Sequence, residues 1–426
     1  MPTERLYSKA VAAGALALTL ATGSAGAAVV GHAPFVQAVR PNATSPLHAG
    51  RRNASGAVST FTVLHSFTGG DGANPAGELL EDQHKNIFGI TSAGGATGNG
   101  TIFEYTAAGT LTTLHTFKGA DGSNPQGGLL NFYGNINFGG TIYGCTQSGG
   151  AYNNGTVFSL STSGVLKTLH SFTGGSDGSA PAGTLFFFTD GNIYGTTSTG
   201  GAQKFGTVFK LSTNGAFSTI HAFAGSDGGN PLAGLSGSAN GRTINGAMFG
   251  TTSSGGANNA GTIFAITPQG GFKNLRSLAS ATDGSAPLAE LIPDDSGNLY
   301  GTASAGGSGS GGTVFEISST GSFRLLYAFP MNAATPQYPN GTTPLARLAG
   351  YSAGALYGTA AFGGPGGGGV AFKFSNGAFA TLHAFSGPDG QFPAGQLLVS
   401  PDGNIYGTTV DGGSSIDGVL FALPVQ

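Results

Sequence analysis

One phrase returns seven times along this chain, and its spacing constrains the fold more than any other feature. In its typical form an aliphatic-His-x-Phe run precedes Asp-Gly-x-x-Pro, an aromatic-Gly-Thr run, a Gly-Gly pair and a Gly-Thr-x-Phe run. A period of this size is typical of arrays and propellers, in which no single unit can bury its own apolar face. The position of the histidine recurs every 50 to 56 residues, at His65, His115, His170, His221, Arg276, Tyr327 and His383.

Each copy contains four short runs rich in β-branched and aromatic residues, separated by Gly, Asn, Asp or Ser, which predicts four strands. No run has helical length or period. We therefore predict an all-β fold, a seven-bladed β-propeller with four antiparallel strands per blade. The first strand, Phe61–Phe67, lacks three predecessors and the last run, Gly418–Leu423, lacks a successor, so pairing them would close the ring. An open β-solenoid is the alternative, and it would need capping units instead.

The N-terminus predicts export. Arg5 and Lys9 precede an apolar stretch and a small-residue site at Ala25-Gly26-Ala27, so residues 1–27 are predicted to be a signal peptide. A buried helix of the mature domain is the alternative. Residues 28–58 are predicted to be a disordered linker and 59–426 the propeller. We expect a secreted, periplasmic or cell-surface monomer with no membrane span and no C-terminal anchor.

Composition excludes some partners. Only 8% of the residues are charged and the net charge is -3, so the chain has no basic stripe for nucleic acid. Cys145 is the only cysteine, so an exported chain could form no internal disulfide.

The repeated histidines and aspartates raise the question of a metal or acid–base site. Arg276 and Tyr327 replace His, and Asn340 replaces Asp, while the surrounding turn is kept. A metal ligand does not tolerate such exchanges readily, whereas a side chain that hydrogen-bonds a turn does. We interpret the pair as structural, with Ca²⁺ in some Asp-Gly loops as the alternative.

The aromatic residue before each repeated glycine could line a glycan-binding channel, but packing between blades is the favoured interpretation. Five polar residues have no counterpart in the other copies and fall in the region of the fifth and sixth repeats; they are Arg276, Glu290, Asp294, Asp295 and Arg347. We interpret the Asp294-Asp295 pair as a solvated turn. The seven aromatic positions are Phe88, Tyr143, Tyr194, Phe249, Tyr300, Tyr357 and Tyr406.

The ordered motifs resemble the GloVer tandem repeat of exported bacterial proteins of the "choice-of-anchor" type. The copies at Gly191–Thr197 and Gly403–Thr409, both Gly-Asn-Ile-Tyr-Gly-Thr-Thr, are the nearest forms. The resemblance implies an extracellular propeller of unknown activity and carries over no catalytic residue.

We predict an exported, non-catalytic binding module for an unknown protein or glycan, with no catalytic, cofactor-binding or metal-binding residue assigned and no cofactor. The alternative is an extracellular propeller enzyme, a lyase or hydrolase, with its site in the central channel. Such a site would need polar groups that break the repeat and converge at one place.

Overall fold

The structure is a computed structural model that describes residues 60–131, 141–161, 163–237, 246–294, 296–330, 338–350 and 354–425. The predicted signal peptide (1–27) and linker (28–58) lie outside the described residues, as do the inserted parts of two hairpins, 132–140 and 238–245. In the described part of the chain no helix is long and apolar enough to cross a membrane.

The described residues form 27 strands in seven antiparallel sheets, which are the seven blades of a propeller. The strands of the first half of the chain are β1 (Thr62–Ser66), β2 (Ala73–Glu81), β3 (Ile87–Ala93), β4 (Thr101–Tyr105), β5 (Leu111–Thr116), β6 (Ser123–Pro125), β7 (Leu130–Asn131), β8 (Thr141–Ser148), β9 (Thr156–Ser161), β10 (Leu166–Ser171), β11 (Phe186–Phe187), β12 (Asn192–Thr197), β13 (Thr207–Ser212) and β14 (Phe217–Ala222).

The second half continues the same order. Its strands are β15 (Met248–Thr252), β16 (Thr262–Ile266), β17 (Phe272–Ser277), β18 (Ile292–Pro293), β19 (Asn298–Ala303), β20 (Thr313–Ser318), β21 (Phe323–Ala328), β22 (Ala355–Ala360), β23 (Val370–Ser375), β24 (Ala378–Ala384), β25 (Leu398–Val399), β26 (Asn404–Thr409) and β27 (Val419–Pro424).

Blades one to six follow in chain order, beginning at β2, β6, β11, β15, β18 and β22. In the fourth and sixth blades the innermost strand is reduced to a single bridge, Ser236 to Phe249 and Ala349 to Tyr357. The His-bearing strand is outermost, as its partly exposed residues in β10 and β14 show.

The seventh blade closes the ring as predicted. It consists of β25, β26 and β27 with β1 as its outer strand, in the order β1-β27-β26-β25. Thr62 pairs with Ala422 and Ser66 with Val419, and the Phe67 N–H donates to Gly418 O at 3.0 Å. Pairing both chain ends in one sheet leaves no open edge between the first and last blades.

Hydrophobic packing joins each blade to the next. Seven buried clusters lie one at each seam between adjacent blades. At one of them Tyr194 of the third blade packs in the same cluster as Leu235 and Met248 of the fourth. The repeat therefore forms one continuous core only when its copies are stacked.

The glycine of the aromatic-Gly-Thr motif is required by close packing within the blade. A Cβ placed on Gly195 would lie 2.5 Å from the ring carbon Cζ of Phe209 and 3.0 Å from Leu185. The phenylalanine of the Gly-Thr-x-Phe run thus lies across the neighbouring strand, which explains why these two motifs recur together.

Candidate functional site

The central channel is lined by residues that follow the proline of each Asp-Gly-x-x-Pro turn. The first and the third residue after each proline carry the side chains that differ from blade to blade, and the residue between them is always Gly or Ala. We call the first set the turn-side tier; it consists of Ala76, Gln126, Ala182, Leu232, Leu288, Leu345 and Ala394. We call the second set the polar tier; it consists of Glu78, Gly128, Thr184, Gly234, Glu290, Arg347 and Gln396.

These two tiers enclose a cavity of about 120 Å³, and all their members except Gly234 line it. The fourth residue after each proline is a leucine that points away from the channel, and every one of the seven is buried. The small residues between the two tiers also line the cavity; they are Gly77, Gly127, Gly183, Ala233, Ala289 and Ala346.

On one side of the channel the backbones of neighbouring blades approach too closely for side chains. A Cβ on Gly183 would lie 2.0 Å from the Gly234 nitrogen, and one on Gly128 would lie 2.4 Å from the Glu78 Cβ. The longer side chains of the polar tier come from the first, fifth, sixth and seventh blades. The channel is therefore asymmetric, although the ring around it is built from repeats.

Three charged side chains of the polar tier meet across the channel. Arg347 Nη1 lies 3.2 Å from Glu78 Oε1 and 3.3 Å from Glu78 Oε2. The same nitrogen lies 3.7 Å from Glu290 Oε2. Glu78 and Arg347 are 269 residues apart in the sequence, so ring closure is what places them together.

Backbone groups of two other blades hold Glu290. Its Oε1 accepts the N–H of Thr184 at 2.9 Å and the N–H of Gly234 at 3.1 Å. Burial raises the pKa of the Glu290 carboxyl to about 7; the Arg347 guanidinium opposes this shift and the Glu78 carboxylate adds to it. A buried carboxyl that titrates near neutrality can carry a proton. It can also donate a hydrogen bond when it is protonated or accept one when it is ionised.

Sequence reasoning identified two members of this group and missed the others. Glu290 and Arg347 stood out as unmatched polar residues, and the structure brings them together. Arg276 lies instead on an outer strand. Glu78, Thr184 and Gln396 were missed; aligning the third residue after the proline in all seven copies would have found them.

The interpretation of Asp294 as solvated was wrong, because its side chain is buried. It accepts the N–H groups of Ser296 and Asn298, each at 2.8 Å, and the Tyr300 hydroxyl at 3.1 Å. The aspartate closes the hairpin as a turn acceptor and the tyrosine covers it. Asp295 lies outside the described residues.

The repeated histidines lie on the outer strands and contact the aspartates of the turns. The His170 Nε2 to Asp177 Oδ2 distance is 3.2 Å, and the Thr173 N–H donates to Asp177 at 2.8 Å. The His170 ring also stacks on Phe217 of the next blade, with the ring centroids 3.9 Å apart. His221 and His383 stack in the same way on Phe272 and Phe61, so these histidines tie a turn to a strand and one blade to its neighbour.

The exceptional copies keep the contact with different chemistry. Arg276 donates to Asp283 Oδ2 from Nε at 2.9 Å and from Nη2 at 2.7 Å. In the sixth copy the Asn340 amide donates to the Tyr327 hydroxyl at 2.7 Å. The copy that has Asn in place of Asp is thus also the copy that has Tyr in place of His. The two exchanges together preserve a hydrogen bond between the turn and the outer strand, which is what a structural role requires. No group of three metal-binding side chains occurs among the described residues.

The aromatic positions before the repeated glycines pack between blades and do not line the channel cavity. All seven are buried, and each shares a cluster with aliphatic residues of the following blade; Tyr357, for instance, packs with Leu397 and Ile405. The structure therefore supports packing between blades as the role of these aromatic residues.

A second set of bonds links neighbouring inner strands unevenly. The hydroxyls of Thr196, Thr251 and Thr302 donate to carbonyls of the next blade, at 2.7, 3.2 and 3.3 Å. The equivalent hydroxyls of Thr359 and Thr408 are buried without a partner in the described structure. The blades from the third to the sixth are therefore tied more closely than those at the closing seams.

The model of the Gloeobacter/Verrucomicrobia repeat matches residues 53–244 and 241–421, which confirms the resemblance seen in the sequence. A search of curated proteins by sequence finds no match.

Several solved propellers resemble the fold. A puromycin-hydrolysing peptidase of Mycobacterium tuberculosis is 11% identical with a TM-score of 0.55, over 90% of this chain and 55% of that one. A puromycin hydrolase is 12% identical with a TM-score of 0.52, over 80% and 50%. The extracellular domain of a two-component system from B. thetaiotaomicron is 9% identical with a TM-score of 0.51, over 85% and 39%. The chain spans about half the length of these proteins or less, and at such identities the likeness concerns the fold alone.

Proposed function

The chain belongs to the Gloeobacter/Verrucomicrobia repeat family, and we propose that it is an exported binding module whose ligand enters the central channel. The observation that carries this proposal is the polar tier. Seven equivalent positions of a repeat hold five residue types that differ in size and charge (Glu, Gly, Thr, Arg and Gln), and the three charged side chains converge on one cavity. Groups that break a repeat at one place are what a ligand site on a propeller needs.

Export is supported by the predicted signal peptide, and the family and the extracellular domain of B. thetaiotaomicron are compatible with it. A cavity of about 120 Å³ has room for roughly ten water molecules at 10–15 Å³ each. The part of a ligand that enters is therefore about as large as one sugar ring or one amino-acid side chain.

Binding without turnover is supported by how the carboxylates are used. Both oxygens of Glu78 accept from Arg347, and Oε1 of Glu290 accepts two backbone N–H groups. The described cavity lining includes no Ser, Cys or His side chain that could serve as a nucleophile. Its one hydroxyl, that of Thr184, accepts the Gly128 N–H at 2.9 Å.

A channel-blocking variant tests this proposal. Ala394→Trp places an indole in the turn-side tier, whereas Ala107→Trp puts one on an exposed outer turn as the matched control. Glycan and peptide arrays probed with the three proteins should show a set of ligands that bind the parent and the control but not Ala394→Trp. Equal binding by all three would place the ligand site elsewhere and contradict the proposal.

The raised pKa of Glu290 favours a second candidate, an enzyme that uses this carboxyl as a general acid or base. Such an enzyme would release product from a polysaccharide, ester or lactone, and Glu290→Gln would abolish turnover without abolishing binding. Release of product by the parent and not by Glu290→Gln would replace the binding module with the enzyme.

A further inference from the structure

We propose that the channel holds its ligand through one aliphatic primary ammonium group, which supplies a positive charge that the polar tier lacks. The inference rests on the channel being the binding site and adds the chemistry of the group that enters it. It follows from the pairing of the charged side chains, from one carboxylate oxygen that is left open, and from the apolar residues of the same cavity.

The polar tier contains two carboxylates and a single guanidinium. Arg347 Nη1 lies 3.2 and 3.3 Å from the two oxygens of Glu78, but 3.7 Å from Glu290 Oε2. The guanidinium therefore pairs with Glu78, and its contact with Glu290 is too long for a hydrogen bond. Two negative charges and one positive charge leave the group with a net charge of -1 when both carboxyls are ionised.

One oxygen of Glu290 is open to a ligand. Oε1 accepts the N–H groups of Thr184 and Gly234, whereas Oε2 has no hydrogen bond in the described structure. The enclosed unpaired side-chain atoms of the described residues do not include Oε2, so this oxygen keeps access to the cavity that Glu290 lines. A carboxylate that two backbone donors hold in place can accept a short, charge-assisted hydrogen bond from a bound cation through its other oxygen.

A proton supplies the missing charge while no ligand is bound. Burial raises the pKa of Glu290 to about 7; the Arg347 guanidinium opposes this shift and the Glu78 carboxylate adds to it. The Cys145 thiol of the second blade also interacts with Glu290, but burial raises its pKa to about 12, so it stays neutral. A cation at Oε2 favours the ionised carboxyl, so its binding should release this proton.

Other classes of ligand fit the tier less well. An anion would be repelled by Glu78 and Glu290, and a neutral group would leave the buried charge of Glu290 uncompensated. A metal ion needs several ligands, and the described residues contain no group of three metal-binding side chains. A primary ammonium needs one carboxylate oxygen for its first N–H donor, and Gln396, which lines the same cavity, offers a further acceptor.

Apolar side chains line the same cavity as the open oxygen. They include Leu232, Leu288 and Leu345, from the fourth, fifth and sixth blades, and each is partly exposed. Such side chains can pack against the methylene groups that carry an ammonium head. A lysine side chain or a free alkylamine combines this stem with this head, and either one suits a cavity of about 120 Å³.

The experiment measures dissociation constants by titration calorimetry at pH 6 and pH 8 for butylammonium, Nα-acetyl-lysine amide, 1-butanol and butyrate. The two amines should bind saturably at pH 8, about tenfold or more tighter than the alcohol and the carboxylate. Their binding should be about tenfold weaker at pH 6, because roughly a tenth of a carboxyl with a pKa of about 7 is then ionised. The amines themselves stay protonated at both pH values, since a lysine-type amine has a pKa of about 10.4. Tighter binding of the lysine amide supports a lysine side chain as the source of the group, and tighter binding of butylammonium supports a free amine.

Glu290→Gln is the decisive variant, because it keeps an oxygen for the N–H groups of Thr184 and Gly234 and replaces the open oxygen by an NH₂ group. It should weaken amine binding about tenfold or more at pH 8 and remove its pH dependence. Glu316→Gln, which removes a carboxylate from the outer part of a blade, is the matched control and should leave binding unchanged. Glu78→Gln is the second variant; it leaves one carboxylate and one guanidinium, so it balances the charge and should also weaken amine binding.

Butylammonium that binds no more tightly than 1-butanol overturns the inference, as does amine binding that is unchanged in Glu290→Gln or equal at pH 6 and pH 8. Binding of 1-butanol or butyrate that exceeds amine binding and is abolished in Ala394→Trp would overturn the ammonium group but leave the channel as the site. Amine binding that is as tight in Ala394→Trp as in the parent defeats both proposals.

Discussion

Replacing Glu290 by glutamine should stabilise the folded protein at pH 8 and leave its stability almost unchanged near pH 4.5. The glutamine oxygen can still accept the backbone N–H groups that Oε1 accepts now, at 2.9 and 3.1 Å. The variant removes only the ionisable proton from a carboxyl that is 8% exposed. Its effect should therefore follow the titration of that carboxyl.

The sign and size of this stability difference follow from the linkage between proton binding and folding. Burial raises the pKa of Glu290 from 4.5 to about 7 in the folded protein. Between those values the folded state binds more protons than the unfolded state, so this group makes the parent less stable as the pH rises from about 4.5 to about 7. A difference of about 2.5 pKa units corresponds to roughly 3 kcal/mol at pH 8, an upper estimate because the Glu290 carboxyl interacts strongly with the neighbouring charges of Arg347 and Glu78.

Urea denaturation of the parent and the variant at several values between pH 4.5 and pH 8 measures this difference. Comparing the two proteins cancels the titration of other groups, including His170, whose pKa burial lowers. Glu316→Gln is the control, since it removes a carboxylate that pairs with Arg324 on the outer part of a blade. Stability curves of the parent and Glu290→Gln that stay parallel over the whole range would refute the reasoning.

Three further predictions concern the scaffold, each checked by thermal and urea melts. Thr196→Val should cost about 1–3 kcal/mol, because it leaves the carbonyl of the next blade unpaired, whereas Thr408→Val should be neutral or stabilising because that hydroxyl has no partner; equal costs would contradict the uneven seams. Asp177→Ala should cost about 0.5–2 kcal/mol and Asp177→Asn less, with no effect of chelator on either, since Asn340 already occupies this turn; a chelator-sensitive melting temperature would instead indicate calcium. Ile416→Asn should stabilise the protein by about 1 kcal/mol, because this exposed β-branched residue has a φ of 65° at a position where the fourth blade has Asn259. A loss of stability would instead show that the isoleucine side chain makes a stabilising contact.

The repeat predicted the scaffold because each of its motifs has one physical task. The alternation within β10 and β14 and the turn glycines indicate strands, and the complementary strands at the two ends of the repeat region indicate closure. Each of these features can be recognised without knowing which residues lie next to it in space. The site could not be predicted in the same way. Glu78 and Arg347 belong to the first and sixth blades, and only the closed ring shows that their side chains meet.

Asp294 shows a different limit of sequence reasoning. Two adjacent aspartates in a polar turn are usually solvated, and nothing local indicates that Tyr300 covers the first of them. The same contact occurs between Tyr194 and Asp190 and between Tyr406 and Asp402, each at 2.7 Å. Comparing the copies, rather than considering each turn alone, would have revealed a repeated tyrosine–aspartate bond.

The central claim is that function resides in the residues that break the repeat, while the repeated His–Asp pairs only hold the blades together. The most direct test compares ligand binding by the triple variant Glu78→Gln, Glu290→Gln, Arg347→Gln with binding by Asp177→Asn, on the arrays that identify ligands of the parent. The account predicts that the triple variant folds but loses those ligands, and that Asp177→Asn melts at a lower temperature with unchanged dissociation constants. Binding that survives in the triple variant, or that disappears in the folded Asp177→Asn, would contradict it.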